Sequence, residues 1–313
     1  MLPRSLRSLP PGRRISRSGR PFPTDMRRQI GTRTFDFARE VAVMAIINRT
    51  PDSFFDQGST FELHRAVTAA LTAVRDGADI VDVGGVPFGR GPAVSVDEEL
   101  DRVVPLIEAI RAASDVLISV DTHRAEVARL CVEAGASIVN DTSGLYDPGM
   151  AAVVADSGAT LVLTHSLAPP RSEPPRAHYH DVTADVVAFL RDRIARAVAA
   201  GVPLGRLIVD PGYDLNKNTC HSLELTRRLD EVVAIGLPTL VAVSNKDFIG
   251  ETLDRARGDR LNGSLAVAVI CITKGARIVR MHDVEATVAV VRMTEAVLGF
   301  REPAYLRHNI EAA

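Results

Sequence analysis

The sequence predicts a single-domain α/β fold, a (β/α)8 barrel of the TIM type, on three observations. Eight short apolar runs of strand length alternate with eight segments of helical period between residues 41 and 298. Most of the apolar runs end abruptly in a polar side chain. The chain of 313 residues is long enough for one such barrel, about 250 residues, with some left over. Eight strand–helix units within one domain favour a closed barrel over an open doubly wound sheet.

The first run, residues 41–47, is continuously apolar, the pattern of a strand buried on both faces of a parallel sheet, and it delivers Asn48. Thr50-Pro51-Asp52 turns the chain, and helical spacing runs over 62–75 until Asp76-Gly77 stops it. Strand 79–83 carries Asp82 and ends in Gly84-Gly85; helix 96–112 follows. Strand 117–120 delivers Asp121-Thr122, helix 126–133 stops at Gly135, and strand 137–139 delivers Asn140-Asp141. A short helix at 148–156 leads to strand 160–164 and His165. A Pro-rich surface loop at 169–175 precedes the long amphipathic helix 181–200, which stops at Gly201 before strand 207–209 delivers Asp210. Helix 223–235 and strand 239–243 lead to Ser244-Asn245-Lys246. Helix 261–274, strand 277–279 with Arg280 and His282 beyond it, and helix 286–298 complete the pattern.

Composition narrows the function classes. The chain is 46% hydrophobic and 24% charged, with a formal net charge of −2, so neither nucleic acid nor an anionic membrane surface is an expected partner. No apolar run approaches the roughly 20 residues of a membrane span. Cys131, Cys220 and Cys271 are widely separated and lack metal-ligand spacing, which fits a reducing, cytoplasmic setting, and Cys131 and Cys271 sit in apolar helical patterns as packing residues. Residues 1–37 form a basic extension, rich in Arg against the single acid Asp25 over its first part. It is read as a disordered tail or an upstream start with Met26 as the alternative initiator, in preference to an organelle transit peptide. The barrel is assigned to 38–300 and a C-terminal tail to 301–313.

In such a barrel the C-terminal strand ends face one mouth, so Asn48, Asp82, Asp121, Asn140, His165, Asp210, Lys246, Arg280 and His282 are expected to converge. Each alone has a plainer explanation: Asp82 or Asn140 could cap a loop, and His165 could be a satisfied core histidine. Polar residues at most strand ends are not explained by capping, which asks nothing of the preceding strand. Asp121, Asn140, Asp210 and Lys246 are the types that read a flat heterocycle through donors and acceptors, each charge-assisted bond worth about 1.5–3 kcal/mol. Asn48, Arg280 and His282 add donors suited to pyrophosphate, and Asn48 offers an oxygen to Mg²⁺. Lys246, Arg280 and His282 together are expected to make the local field positive.

The words Asn48-Arg49-Thr50-Pro51-Asp52-Ser53-Phe54, Gly84-Gly85 after Val81-Asp82-Val83, Ser119-Val120-Asp121-Thr122, Val139-Asn140-Asp141, Asp210-Pro211-Gly212, Ser244-Asn245-Lys246 and Arg280-Met281-His282-Asp283-Val284 resemble, in order and spacing, the motifs of dihydropteroate synthases. Those enzymes join a pterin pyrophosphate to p-aminobenzoate in folate biosynthesis. The resemblance implies a Mg²⁺-assisted displacement of pyrophosphate by the aniline nitrogen. It also implies that Asp121, Asn140, Asp210 and Lys246 bind the pterin, with Arg280 stacked beside it. Asn48, Arg280 and His282 would hold pyrophosphate and metal, and Asp56 and Lys246 would be the catalytic side chains, Asp56 stabilising positive charge on the methylene. A homodimer paired through late helices is implied as well, and sulfonamide or sulfone analogues become possible ligands.

The chain departs from that pattern on one side. Where the family has Gly-Gly-Glu-Ser-Thr-Arg-Pro-Gly, this chain has Gly84-Gly85-Val86-Pro87-Phe88-Gly89-Arg90-Gly91, and Arg90 stands one position late. Asn245 stands where the family has Arg, Asp247 where it has Ser, Leu215 where an aromatic lines the aminobenzoate side, and Arg49 where a small apolar residue follows Asn48. Phe88, Arg90, Leu215, Ser244 and Asn245 thus mark an altered aminobenzoate site beside an intact pterin half. The expectation is a pterin-binding homologue resembling the divergent second copies of the synthase found in some actinobacteria, with low or no synthase activity. The alternatives are an active synthase using p-aminobenzoate or another amine, and the pterin domain of a folate-dependent methyltransferase, which has no need of a pyrophosphate site.

Overall fold

The computed structural model describes residues 26–49, 59–86, 91–168, 170–172 and 178–309. Eight parallel strands form the barrel: β3 (Ala42–Asn48), β4 (Ile80–Gly84), β5 (Leu117–Asp121), β6 (Ile138–Asp141), β7 (Thr160–Thr164), β8 (Leu207–Asp210), β9 (Leu240–Val241) and β10 (Ile278–Met281). Their order runs β8-β7-β6-β5-β4-β3-β10-β9. Closure between β8 and β9 rests on the Val209–Thr239 bridge and on Val209 N donating to Pro238 O at 3.0 Å.

Alternation along each strand divides side chains between the helix layer and the interior. Outward residues such as Val81, Val83, Ile118, Val120, Val139, Leu161, Leu163 and Val209 pack in the main core against the surrounding helices. Inward residues form two levels. The lower is apolar, with Ala42, Met44, Ile80, Leu117, Ile138, Val162, Ile208, Leu240 and Ile278 in one buried cluster. The next inward position up each strand is polar on six strands: Asp82, Ser119, Asn140, Thr164, Asp210 and Arg280. Strand register puts Asp82 opposite Ser119 and Thr164 opposite Asp210, and sets Asn140 opposite Asp121, the inward residue above Ser119 on β5.

The structure corrects three readings. Residues 26–37, assigned above to the basic extension, contain an antiparallel hairpin, β1 (Arg27–Ile30) with β2 (Arg33–Asp36). Met26, Ile30, Phe35 and Phe37 join the lower interior cluster and so close the bottom of the barrel. Buried Arg277 fastens it, donating from Nε to Phe37 O at 2.9 Å. The arginines of this segment hid an alternation of apolar residues only four long. Second, β9 spans two residues instead of 239–243, and the helix α8 (Asp247–Leu253) after it is too short to show helical period in sequence. Third, the helix expected at 223–235 is two, α6 (Thr219–Arg227) and α7 (Leu229–Val233), because Arg228 leaves helical geometry at φ −113° and ψ 23°. The other helices lie where helical spacing placed them: α1 (Ser59–Arg75), α2 (Val96–Ala113), α3 (Ala125–Glu133), α4 (Met150–Ser157), α5 (Val182–Ala199), α9 (Leu261–Thr273) and α10 (Val284–Val297). Cys131 and Cys271 are buried in the core as expected. No helix among the described residues is long and apolar enough to cross a membrane.

Because the hairpin supplies the barrel floor, Phe35→Ala should cost about 3–5 kcal/mol of unfolding free energy in a urea titration. An unchanged midpoint would mean that the hairpin packs without supporting the barrel.

Candidate functional site

Arg280 ties the polar level together. It rises from β10 and reaches across the interior, donating from Nε to Asp82 Oδ2 at 2.6 Å and from Nη2 to Asp121 Oδ2 at 2.9 Å. Asn140 Nδ2 donates to the same Asp82 oxygen at 3.1 Å, which fixes the amide with its oxygen turned away. Thr142 Oγ1 donates to Asp121 Oδ1 at 3.2 Å. Asp82 is fully buried, and its Oδ1 has no partner, nor have Asn140 Oδ1, Ser119 Oγ and Thr164 Oγ1. The polar level is therefore bonded along one edge and presents unpartnered acceptors and hydroxyls elsewhere.

Burial sets the charges. It lifts the Asp121 carboxyl to about 7, against the pull of Arg280 and with help from Asp82. Asp210 is also raised by burial, opposed by the Gly212 N–H that it accepts at 2.7 Å and by Lys246, Arg280 and Lys217. Burial works against the Arg280 charge, but Asp82, Asp121 and Asp210 more than offset it and raise its pKa. Lys246 is lowered by burial; Asp214 acts on it as the strongest opposing carboxylate, with Asp210 and Asp121 behind.

His282 differs from expectation. Burial, followed by Arg280, Lys246 and Arg257, lowers it to about 4, so near neutral pH it is an uncharged donor and not part of a positive field. Ser244 Oγ accepts from the His282 backbone N–H at 3.2 Å and lies 2.8 Å from Nδ1. That arrangement suits a hydroxyl proton on Nδ1 and the ring proton on Nε2. Asn48 stands at the end of β3 beside Gly84, where an added Cβ would lie 3.1 Å from Asn48 Oδ1. Asp121, Asn140, Asp210, Lys246 and Arg280 are thus brought together, with Asn48 and the Ser244–His282 pair around them. Asp56, Phe88 and Arg90 lie outside the described residues. Arg49 points away, donating from Nη1 to the α2 carbonyls of Asp101 and Arg102 at 2.9 and 2.8 Å.

Sequence reasoning missed Lys217. It is buried, and its ammonium has three acceptors for three N–H groups: His165 Nδ1 at 2.8 Å, Gly212 O at 2.8 Å and Leu215 O at 3.0 Å. Burial and the Lys217 charge hold His165 at about 3, so it stays neutral and able to accept. Gly212 adopts φ +69°, and a Cβ there would lie 2.1 Å from His165 O. The pair therefore pins the loop that follows Asp210 against the end of β7. In sequence Lys217 sits between two asparagines and reads as a solvated loop residue; only the surrounding burial distinguishes it.

A family model described as "Pterin binding enzyme" matches residues 44–282. The chain belongs to the pterin-binding enzyme family. It is 48% identical over 267 residues to the inactive dihydropteroate synthase 2 of Mycobacterium leprae, covering 83% of this chain and 92% of that protein. It is 42% identical over 261 residues to the dihydropteroate synthase of Escherichia coli K12, covering 83% and 93%. The solved Xanthomonas albilineans dihydropteroate synthase with 4-aminobenzoic acid superposes with a TM-score of 0.82 at 38% identity, covering 88% of this chain and 99% of that one. Within the family this chain is a divergent dihydropteroate synthase homologue.

Two outcomes follow from the geometry. Arg280→Leu should strand the buried Asp82 carboxylate and cost about 3–5 kcal/mol in urea unfolding, while Arg280→Leu with Asp82→Leu should recover most of it; no recovery would mean that the loss does not come from the stranded Asp82 carboxylate. Burial lowers the Lys217 pKa from the ordinary lysine value of 10.5 to about 7 in the folded protein. The unfolded chain binds more protons between those values, so stability rises with pH across that window, by a few kcal/mol at most. Lys217→Met should lose this rise, and identical pH profiles of variant and wild type would contradict the assignment.

Proposed function

We propose that this chain binds 6-hydroxymethyl-dihydropterin pyrophosphate and turns it over to dihydropteroate slowly or not at all. The observation that carries this reading is the half-satisfied polar level: Asn140 Oδ1 and Asp82 Oδ1 are buried acceptors without donors, beside the carboxylates of Asp121 and Asp210 and the ammonium of Lys246. An amino-pyrimidinone edge supplies donors to such acceptors and takes donors from Lys246. Arg280 is held flat by two carboxylates, in a posture suited to stacking on a heterocycle. Asn48 and the Nε2–H of neutral His282 face the pyrophosphate end in this reading.

Among the described residues no group of three His, Cys, Asp or Glu side chains could hold a metal. A single amide oxygen, Asn48 Oδ1, fits Mg²⁺ that keeps several waters and is carried largely by the pyrophosphate. Mg²⁺ in that position would neutralise charge on the leaving group.

Low turnover is supported by the other half of the mouth. Asn245 takes φ 56°, a left-handed conformation that Asn tolerates better than Arg, and its carbonyl accepts from Arg260 Nη1 at 3.0 Å. Leu215 is half-buried, with its carbonyl committed to Lys217. Catalysis that depends on positioning two substrates loses orders of magnitude when one of them is poorly held. A homodimer fits exposed Ile270, Met293 and Val297 on α9 and α10, and a reducing cytoplasm fits three free cysteines.

The deciding experiment measures pterin pyrophosphate binding, and pyrophosphate release with Mg²⁺, with and without p-aminobenzoate. Binding with little or no release is expected, and Asp210→Asn should abolish binding in a protein that still unfolds cooperatively. Rapid release dependent on p-aminobenzoate would establish an active synthase; unchanged binding by Asp210→Asn would refute the site.

A further inference from the structure

The loops after β8 and β9 meet on the Lys246 side of the mouth, and each brings a carboxylate there. Asp214, held at φ 62°, accepts on Oδ2 from the backbone N–H of Asp247 at 2.5 Å and on Oδ1 from Ser222 Oγ at 3.4 Å. Burial raises its pKa, and Lys246 is the strongest charge partner that opposes this and favours the carboxylate. Asp247, the first residue of α8, pairs with Arg260 Nη1 at 2.8 Å while its side chain stays 66% exposed. Arg260 is occupied twice over, since the same nitrogen also holds Asn245 O. Lys246 and Arg260 therefore each face a carboxylate of the chain itself. A second anion arriving beside Lys246 would meet Asp214 and Asp247 before it met an uncompensated cation.

We propose that Asp214 and Asp247 set the charge class of the second ligand: with the pterin pyrophosphate bound, this side of the mouth takes an uncharged or cationic aromatic amine and rejects an aryl carboxylate. The inference rests on the pterin-binding reading above and deepens it, assigning the low use of p-aminobenzoate proposed there to cancellation of the nearby cations by named carboxylates. An anion that must shed water beside cations already cancelled by Asp214 and Asp247 gains no uncompensated partner, which is enough for a selectivity of about tenfold or more. Leu215, next to Asp214 in the same loop, supplies apolar surface for the ring without adding charge.

The test uses the full-length protein saturated with pterin pyrophosphate and titrates three probes of the same ring: p-aminobenzoate, p-aminobenzamide and 4-aminobenzylamine. The amide and the benzylamine should bind at least about tenfold tighter than the carboxylate. Asp247→Asn should shift that ratio about tenfold toward p-aminobenzoate while pterin affinity stays unchanged. Asp214→Asn, which keeps the left-handed backbone accessible but also removes the strongest carboxylate partner of Lys246, should shift the ratio in the same direction. Equal binding of p-aminobenzoate and p-aminobenzamide by wild type would overturn the proposal. So would an unshifted ratio in both variants, a loss of pterin affinity in Asp247→Asn, or no binding of the amide and benzylamine to the loaded protein. Failure of wild type to bind the pterin pyrophosphate in the first step would refute the earlier reading as well, whereas pterin binding without charge selectivity refutes only this one.

Discussion

Arg280 is the interaction on which the mouth of this barrel depends. Asp82, Asp121 and Asp210 point inward from three strands into a space walled below by aliphatic side chains, where neighbouring carboxylates repel and water is scarce. One guanidinium from β10 bonds two of them and lowers the cost of ionising the third. A lysine could not do the same, because a single ammonium lacks the planar fork that reaches two carboxylates in fixed directions. The arrangement holds charge in place without using all of it: the bonds to Asp82 Oδ2 leave Oδ1 unpartnered, and the Asn140 amide is oriented with its acceptor unpartnered. That combination of rigidity and unmet bonding makes the level a recognition surface and more than a buried salt bridge.

The two halves of the mouth are built differently. The half proposed for the heterocycle is made mostly of strand ends, where the closed sheet fixes direction and spacing, with Lys246 added from the loop after β9. The half proposed for the second ligand is made of the segments after β8 and β9, where position depends on a few particular bonds. Lys217 and His165 pin one loop, and Arg260 pins the other through Asn245 and Asp247. Strand-end side chains are therefore held by the barrel itself, whereas Asp214, Leu215, Asn245 and Asp247 are held by contacts between loops and neighbouring helices.

Most of the barrel was legible in the sequence because burial on both faces leaves a continuous apolar strand signal, and helical spacing between such strands repeats eight times. The polar strand ends stood out for the same reason, as interruptions of that signal. The hairpin at 27–36 was not legible, since its short alternation is masked by arginines that lie on its exposed side, and α8 was lost because seven residues complete too few turns to show a period. His282 was read as a cation from its residue type, but its protonation depends on burial and neighbouring charges brought in from other strands.

By itself the sequence determined the eight-unit barrel and the convergence of Asp121, Asn140, Asp210, Lys246 and Arg280, because each follows from local period or from residue identity at or just beyond a strand end. Tertiary structure alone decided that Arg280 bridges Asp82 and Asp121, that Lys217 is a buried pin and that Asp214 reaches across to the Asp247 amide. Those contacts join residues 33 to 198 positions apart. Closure of the barrel, and no local pattern, brings such residues within hydrogen-bonding distance.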